Sequence, residues 1–387
     1  MIYADHAATT KMSAEAMAAM VKGWEVYGNP SSLHTIGQEA AVVLQKAREQ
    51  IAVCLDADPK EIYFTSGGSE ADNQALRSAA AIGKRNGHMH IISTAFEHHA
   101  ILHTLEQLKA EGFSITLLDV HENGMVTPEQ VEAAIQPDTC LVTVMYANNE
   151  IGSILPIAEI GAVCRKHHVL FHTDAVQAVG HIPISVKNDN IDMLSLSAHK
   201  FHGPKGIGVL YAKKGVRLTS LIAGGAQERE NIPAILGMAA ALQDACDHME
   251  ENTHHCLELR ERLIAGLSKI PHSVLNGDRE HRLPSNVHFC FEGIEGESLL
   301  LLLDQKGICA SSGSACTSGS LDPSHVLLAI GRPHEIAHGS LRLSLGEENT
   351  MAEVDYMLQA IPEVVAYLRH MSPVWRDLES GKKSFLL

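Results

Sequence analysis

Lys200 stands at the end of a predicted buried strand, residues 193–196, and its amine could form a Schiff base with an aldehyde. A lysine in such a place is costly unless its charge is neutralised or used. Enzymes that use pyridoxal 5'-phosphate (PLP) hold their cofactor on a lysine in this way. Ser197 and His199, just upstream, could donate hydrogen bonds to the cofactor's phosphate. The alternative is a lysine that simply reaches the surface where the strand ends, and on this segment alone that alternative is preferred.

A second segment places an acid and an amide after the predicted strand 169–172. Asp174 lies at the carboxyl end of that strand, where open α/β sheets bind ligands. A carboxylate beneath the pyridine nitrogen of PLP would keep that nitrogen protonated, and Gln177 could donate to the phenolic oxygen. The alternative is that Asp174 is an ordinary helix N-cap.

The turn 64–70 joins a predicted strand to a predicted helix and contains two glycines followed by a serine. Gly68 would let the backbone approach a phosphate closely, and the start of the helix offers free N–H groups. Ser69 would add a hydroxyl. The alternative is an ordinary glycine turn in which Ser69 is the N-cap and Asp72 its capping-box partner.

His98 follows the predicted strand 90–93 and opens a helix. Its ring could stack on a pyridine ring, and an imidazole there could also move protons. His99 and His103 have the i, i+4 spacing of metal ligands, but they lack the glutamate of an H-E-x-x-H motif. We therefore predict no metal site.

Cys316 lies in the loop 311–320, which otherwise consists of small and mostly polar residues. Such a segment buries little surface, so we expect it to be mobile and exposed. An exposed thiol is a liability without a use, but its thiolate is a soft nucleophile suited to attacking another sulfur. A loop cysteine of no consequence is the alternative. The remaining cysteines are scattered without a C-x-x-C pair, which argues against a closely spaced zinc or iron–sulfur site.

The composition limits the class of protein. The 387 residues carry 30 basic and 46 acidic side chains, a net charge of −16, which argues against nucleic acid or an anionic membrane as a general partner. No apolar run approaches the ~20 residues that a membrane-spanning helix needs, and the N-terminus lacks the pattern of a secretory signal. We expect a cytoplasmic protein.

Hydrophobic patterns predict an α/β fold. Short β-rich runs alternate with helical stretches between about residues 60 and 215, which is typical of a mostly parallel sheet covered by helices. The predicted strands are 61–64, 90–93, 114–119, 141–146, 169–172 and 193–196, with 207–211 returning antiparallel, and the helices between them are 69–82, 100–110 and 157–167.

The pattern changes beyond residue 250, where we predict a smaller α+β domain. Its elements are a helix at 254–269, a strand at 287–291, a helix at 297–306, a strand at 341–345 and a helix at 351–369. The predicted domains are therefore 1–250, which binds the cofactor, and 251–387, which carries the cysteine loop. The first ~15 residues could pack on the smaller domain, and all such boundaries carry an error of several residues.

The order of these features along the chain resembles that of the cysteine desulfurases of the NifS/IscS group. Those enzymes form part of the class V aminotransferase branch of the fold-type I PLP enzymes. The likeness runs from residues 5–10 and 28–32 to 341–346, almost the whole length. The loop 311–320 is its most specific part, because general aminotransferases lack it.

The resemblance implies a role for each candidate residue. Lys200 would carry PLP and later shuttle protons, Asp174 would pair with the pyridinium, Gln177 would meet the phenolic oxygen, and His98 would stack on the ring. The phosphate would be held by Gly68, Ser69, Ser197 and His199. Asn149 and Arg342 would bind the substrate carboxylate, Arg342 ideally as a bidentate fork.

The resemblance also implies the reaction and the partners. L-cysteine would be converted to L-alanine while Cys316 takes the sulfur as a persulfide. A sulfur-acceptor or scaffold protein would then receive the sulfur for iron–sulfur cluster or other sulfur-cofactor assembly. The enzyme would be a homodimer. An aminotransferase or selenocysteine lyase of the same family is the alternative, although transamination has no use for a loop thiol.

Two departures from the family pattern bear on these expectations. Gly68 and Ser69 stand where the family usually has Ala-Thr. After residues 224–229 the family carries a short Arg-x-Gly-Thr insert, whereas here Glu230 leads directly into Asn231. The threonine of that insert normally reaches the other subunit's cofactor phosphate, so its loss could weaken PLP binding about tenfold. A weakly active scaffold homologue is therefore a further alternative.

Overall fold

The computed structural model describes residues 1–224, 230–312 and 323–387. In this part of the chain the strands are Ile2–Tyr3 (β1), Ile62–Thr65 (β2), His90–Thr94 (β3), Ser114–Leu118 (β4), Thr139–Thr143 (β5), Leu170–Asp174 (β6), Met193–Ser197 (β7), Gly208–Ala212 (β8), Ser273–Leu275 (β9), Asn286–Phe291 (β10), Ile308–Cys309 (β11) and Ser340–Ser344 (β12).

The helices of the described ranges are Ala14–Gly23 (α1), Thr35–Leu55 (α2), Gly68–Asn86 (α3), His99–Ala110 (α4), Pro128–Ala134 (α5), Ile157–Lys166 (α6), Ile232–Asp247 (α7), Met249–Leu267 (α8), Gly296–Gln305 (α9), His325–Ala329 (α10), His334–Ala337 (α11), Met351–Met371 (α12) and Pro373–Glu379 (α13). Six of the helices in these ranges, α3, α4, α6, α8, α9 and α12, were predicted, and the other seven were not.

The large sheet has the strand order β2-β8-β7-β6-β5-β3-β4 within the described residues. The run from β7 to β4 is parallel, and β8 lies antiparallel to both of its neighbours. The predicted α/β class with a mostly parallel sheet and a returning antiparallel strand is therefore confirmed.

Helices cover both faces of this sheet, which is why its central strands are apolar along their whole length. Alternate residues of one strand enter different cores: Met193 packs with α3 and α4, whereas Leu194 packs in the cluster that contains Ile51 of α2 and Leu242 of α7. The strands thus hold a fixed register, and their carboxyl ends are fixed with it.

A second sheet, of order β12-β10-β9, is antiparallel. It packs against α8, α9 and α12 through a separate apolar cluster that includes Leu263, Phe289 and Val365. The start of the chain joins this region, because β1 pairs in parallel with β11 and the Ser344 amide donates to the Ala4 carbonyl. The domain boundary near residue 250 stays a prediction.

Candidate functional site

The candidate site lies at the carboxyl edge of β6 and β7. These strands are adjacent and parallel, so the residues that end them meet at one edge of the sheet. Asp174 ends β6, Ser197 ends β7, and Lys200 ends the 3₁₀ turn that follows β7. The fold therefore brings Asp174 together with Ser197 and Lys200, which the sequence analysis predicted from two separate segments.

The side chains of Lys200 and Gln177 both donate hydrogen bonds to the backbone near the start of the chain. The Lys200 Nζ donates to the Ala7 carbonyl at 2.6 Å and to the Ala8 carbonyl at 2.9 Å. The Gln177 Nε2 donates to the same Ala7 carbonyl at 3.0 Å. We call residues 5–10 the N-terminal segment. Its backbone lies across the site, a contact that no sequence pattern had indicated.

Asp174 is buried, with 6% of its surface exposed. Its Oδ1 accepts from the Val176 amide at 2.9 Å, but residues 176–180 form turns, so the alternative of a helix N-cap is wrong. Burial raises the pKa of the Asp174 carboxyl, and the hydrogen bond from the Val176 amide and the charge of Lys200 act in the opposite direction. An added cation, such as a pyridinium, would stabilise the carboxylate further.

His98 is held in one orientation by its place at the start of α4. Its Nδ1 accepts from the Ala100 amide at 3.1 Å, which makes His98 the N-cap of that helix. A neutral ring that accepts at Nδ1 carries its hydrogen on Nε2. His98 is close enough to Asp174 to act on its charge. The predicted stacking on a cofactor ring stays a prediction.

The turn before α3 is open where a phosphate would sit. The helix N-cap is Gly67, at φ +157°, and no side chain caps the helix. Among the described residues, a Cβ added to Gly67 would meet within 4 Å only the Ser197 hydroxyl oxygen, at 3.7 Å. The alternative in which Ser69 caps the helix with Asp72 is wrong, because the N-cap is Gly67 and Ser69 lies inside α3.

The side chain of Val176 leaves no room for a residue larger than glycine at position 68. A Cβ at this position would lie 2.7 Å from the Cγ2 of Val176. The departure from the family's usual Ala-Thr therefore has a structural reason, since the Val176 methyl group fills the space that an alanine would use. The side chain of Ser69 is exposed beside this turn. Its hydroxyl, which is predicted to contact the phosphate, does not cap the helix.

Ser197 and His199 complete the polar side of this turn. Ser197 is buried, and the His199 Nδ1 lies 3.1 Å from the Thr9 hydroxyl. Burial lowers the pKa of His199 to about 4, and the positive charges of Lys200 and Lys205 act in the same direction. His199 is therefore neutral at pH 7. It offers a hydrogen-bond donor without a second full charge.

These residues fit PLP. The open glycine turn at the start of a long helix, beside the Ser197 hydroxyl, suits a phosphate. The carboxylate of Asp174 suits a protonated pyridine nitrogen, and Lys200 lies on the same sheet edge. The donor set is that of a phosphate-bearing aldehyde and contains no arrangement suited to a metal. Over residues 1–224, 230–312 and 323–387, no group of three or more His, Cys, Asp or Glu could hold a metal ion.

Arg342 lies on β12 of the second sheet and is 3% exposed. Its Nη2 pairs with the Asp5 Oδ1 at 3.0 Å, and its Nη1 donates to the Asn149 carbonyl at 3.1 Å. The buried Nε has no acceptor among the described residues. Asn149 meets Arg342 through its backbone, so the predicted role of the Asn149 side chain stays a prediction.

Cys316 lies outside the described residues, but the described ends of its loop meet the site. Ser311 exchanges backbone hydrogen bonds with Arg342, at 3.1 and 2.7 Å. On the far side, the His325 Nε2 lies 2.8 Å from the Glu97 carbonyl, next to His98. The described residues Ser311 and His325, on either side of the segment 313–322, thus contact Arg342 and the neighbour of His98.

The sequence analysis missed three buried acids around the site. Asp72, Glu97 and Glu150 are each at most 5% exposed. Burial raises the pKa of Glu97 to about 8 and that of Glu150 to about 7. Burial and the charge of Asp174 raise the pKa of Asp72 well above its ordinary value. No local signal marks them in the sequence, because polar residues adjoin each one, such as Asn149 before Glu150 and His98 after Glu97.

Comparisons with known proteins agree with this geometry. Residues 2–357 match the Aminotransferase class-V family. A Cysteine desulfurase IscS of Clostridium botulinum is 51% identical over 392 residues, covering 99% of this chain and 98% of that protein. A Cysteine desulfurase IscS of Methanosarcina thermophila is 52% identical over 380 residues, covering 96% of this chain and 94% of that protein.

Solved structures show the same likeness. A NifS-like protein superposes with a TM-score of 0.88 at 38% identity, covering 95% of this chain and 100% of the other. SspA in complex with cysteine superposes with a TM-score of 0.78 at 34% identity, covering 90% of this chain and 100% of the other.

No helix of the described residues is long and apolar enough to cross a membrane.

Proposed function

This chain belongs to the class-V aminotransferase family, and from that premise we propose that it is a PLP-dependent cysteine desulfurase. The substrate is L-cysteine and the carbon product is L-alanine. The single observation that carries the proposal is the convergence of Lys200, Asp174 and Gln177 beside an open phosphate turn, with Ser311, at the start of the cysteine loop, hydrogen-bonded to Arg342.

The cofactor would be held by groups at three points. Gly68, Ser69, Ser197 and His199 would bind the phosphate, Asp174 and Gln177 would orient the ring beneath His98, and Lys200 would carry the aldehyde carbon. When bound, PLP supplies an electron sink that stabilises negative charge at the substrate carbon. The carboxylate of Asp174 favours protonation of the ring nitrogen, and a protonated ring withdraws electrons more strongly.

The substrate would be bound and deprotonated by residues on two elements. Arg342 of β12 would bind the α-carboxylate, with Asn149 beside it. Lys200, once its amine is free, would move the proton at the substrate Cα. Its amine is already held in place by the Ala7 and Ala8 carbonyls, so it needs little reorganisation to act.

Cys316 would take the sulfur. Its thiolate attacks the substrate sulfur, an S–S bond forms as the C–S bond breaks, and the carbon skeleton takes up a proton and leaves as alanine. The persulfide then passes to an acceptor protein that feeds iron–sulfur cluster or other sulfur-cofactor assembly. The attachment of residue 311 to Arg342 would start the loop next to the substrate's carboxylate.

We further propose a homodimer in the cytoplasm, where a thiolate stays reduced. The second copy would cover an exposed apolar stretch between α1 and α2. Trp24 is 72% exposed, Tyr27 80% and Leu33 94%, and a cluster of large apolar residues on a surface usually marks a protein interface. The segment 225–229, where the Arg-x-Gly-Thr insert is missing, lies outside the described residues.

The test is alanine production from L-cysteine by the PLP-loaded enzyme. Lys200→Ala should abolish both the visible absorption of the bound cofactor and turnover. The matched control is Lys205→Ala, which removes an exposed lysine from the same segment and should leave both unchanged. Alanine formation that persists at the wild-type rate in Lys200→Ala would reject the proposal, and so would a wild type that stays colourless in excess PLP, as expected for a non-catalytic scaffold.

A further inference from the structure

We propose that Asp5 is an internal counterion of Arg342 that the substrate carboxylate displaces, which makes Asp5 a residue that sets the affinity for the amino acid. This inference rests on the proposed function, because it takes Arg342 as the carboxylate-binding residue. It concerns a residue of the N-terminal segment for which the sequence analysis had no role.

The geometry places a carboxylate where an amino-acid substrate would bring its own. The Asp5 Oδ1 lies 3.0 Å from the Arg342 Nη2, on a guanidinium that is buried. The remaining contact described for that guanidinium is neutral, the Asn149 carbonyl on Nη1. The Nε is buried and has no acceptor in the described part of the chain.

An arriving carboxylate needs two neighbouring N–H groups to bind as a fork. Nε and Nη2 form one such edge of the guanidinium, and Asp5 occupies half of it. The Nε, which none of the described residues accepts from, is the other half of the same edge. A substrate that binds this edge must therefore take Nη2 from Asp5.

Asp5 is held loosely enough to give way. In the described residues its carboxylate has no hydrogen-bond donor other than Arg342, and 22% of the side chain is exposed. Its backbone joins the sheet by a single isolated bridge to Ser344. Rotation of the Asp5 side chain towards solvent would break one ion pair and no other described contact.

The charges decide the direction of the effect. Without substrate, Asp5 neutralises a buried cation, which is costly to leave alone. With substrate bound, two carboxylates would face one guanidinium and repel each other. Removing the charge of Asp5 therefore raises the free energy of the substrate-free enzyme and relieves repulsion in the complex. Both changes favour tighter binding.

The experiment titrates the PLP-loaded enzyme with L-alanine, which carries the carboxylate but no sulfur, and follows the cofactor absorption. Asp5→Asn keeps an oxygen for Arg342 and removes the charge. We expect its dissociation constant for L-alanine to fall about fivefold or more, which corresponds to about 1 kcal/mol. Asp5→Ser, which also removes the charge, should show the same direction and guards against a folding defect peculiar to the asparagine variant.

The matched control is Asp355→Asn, which breaks another Asp–Arg pair, with Arg262, on the exposed surface and should leave L-alanine binding unchanged. In an Arg342→Ala background, Asp5→Asn should have no effect on affinity. Equal or weaker binding of L-alanine by both Asp5 variants would overturn the inference alone, provided the wild type forms alanine from cysteine. A wild type that neither binds L-alanine nor forms it would overturn the proposed function as well.

Discussion

Burial, more than sequence spacing, decides which acids of the site carry a charge. The charge of Asp174 raises the pKa of Asp72 and of Glu97, and the charge of Glu97 also raises the pKa of Asp72. Such a group of buried carboxyls cannot all be ionised at once. Of these three, Asp174 is the one stabilised by the hydrogen bond from the Val176 amide and by the nearby charge of Lys200, so it is the carboxyl suited to serve as the anion beneath a cofactor ring.

Replacing these two aspartates by asparagine should therefore have unequal effects. Asp174→Asn removes the charge opposite the ring nitrogen, and we expect turnover to fall about a hundredfold, since an unpaired buried charge costs about 3 kcal/mol. Asp72→Asn replaces a carboxyl whose pKa is raised well above its ordinary value by burial and by the charge of Asp174, so turnover should stay within about twofold. Steady-state alanine formation at pH 7 measures both, and equal losses in the two variants would contradict this assignment of charge.

Glu97 should make the fold less stable as the pH rises. Its pKa in the folded protein, about 8, is above the ordinary value of 4.5. A raised carboxyl pKa contributes stability that is present below the ordinary value and is lost as pH rises through about 8. Urea unfolding of Glu97→Gln should thus show a smaller loss of unfolding free energy between pH 5 and 8 than the wild type. Glu258→Gln, at an exposed position, should follow the wild type, and parallel profiles for Glu97→Gln and wild type would refute the claim.

At the scale of elements, α3 links two parts of the site. Its first turn belongs to the open glycine turn that would bind the phosphate, and one turn later it carries the buried Asp72. The first turn depends on a close contact between Gly68 and the Val176 methyl group that follows Asp174. The turn that would bind the phosphate therefore packs against the segment that carries Asp174.

Gly68→Ala should weaken PLP binding about tenfold, because overpacking of this kind costs about 1–3 kcal/mol. Adding Val176→Ala should restore most of the affinity by making room for the new methyl group. The control is Gly87→Ala at the other end of α3, where φ is +77° and a Cβ meets nothing. It should lower the unfolding free energy by about 1 kcal/mol without changing PLP affinity. Equilibrium PLP titration tests all three, and no recovery in the double variant would contradict the packing argument.

The sequence predicted the elements better than it predicted their contacts. The strands predicted at 193–196 and 207–211 are observed at Met193–Ser197 and Gly208–Ala212, because fully buried strands are continuous apolar runs. The strand predicted at 141–146 instead spans Thr139–Thr143, since the apolar run continues after the strand leaves the sheet. Lys200 meets Ala7 across 193 positions, and Arg342 meets Asp5 across 337. Tertiary packing creates such pairs, and no local pattern encodes them.

At the scale of the whole molecule, the site is built from three distant regions. The large sheet provides Asp174 and Lys200, the second sheet provides Arg342, and the N-terminal segment lies between them. Their relative position depends on backbone hydrogen bonds that Ser344 of β12 makes with Ala4 and His6, which tie the start of the chain to the second sheet. The N-terminal segment then reaches back to the large sheet through the contacts of Ala7 and Thr10.

The proposed dimer predicts a change in mass on surface mutation. Leu33→Asp combined with Trp24→Asp places charges on the exposed apolar stretch, and we expect sedimentation to show a monomer because a charge in an apolar interface is costly to desolvate. Val53→Asp, at a position that is 76% exposed and outside this stretch, should remain a dimer. A wild type that sediments as a monomer would contradict the dimer itself.

The most direct test of the account is the mass of the Cys316 peptide after a single turnover with L-cysteine. The account predicts a gain of one sulfur atom on that peptide and one alanine formed per loaded site. Both should be lost in Cys316→Ser, while cofactor absorption is retained. Alanine formation at the wild-type rate by Cys316→Ser, or turnover that leaves the Cys316 peptide unmodified, would contradict it.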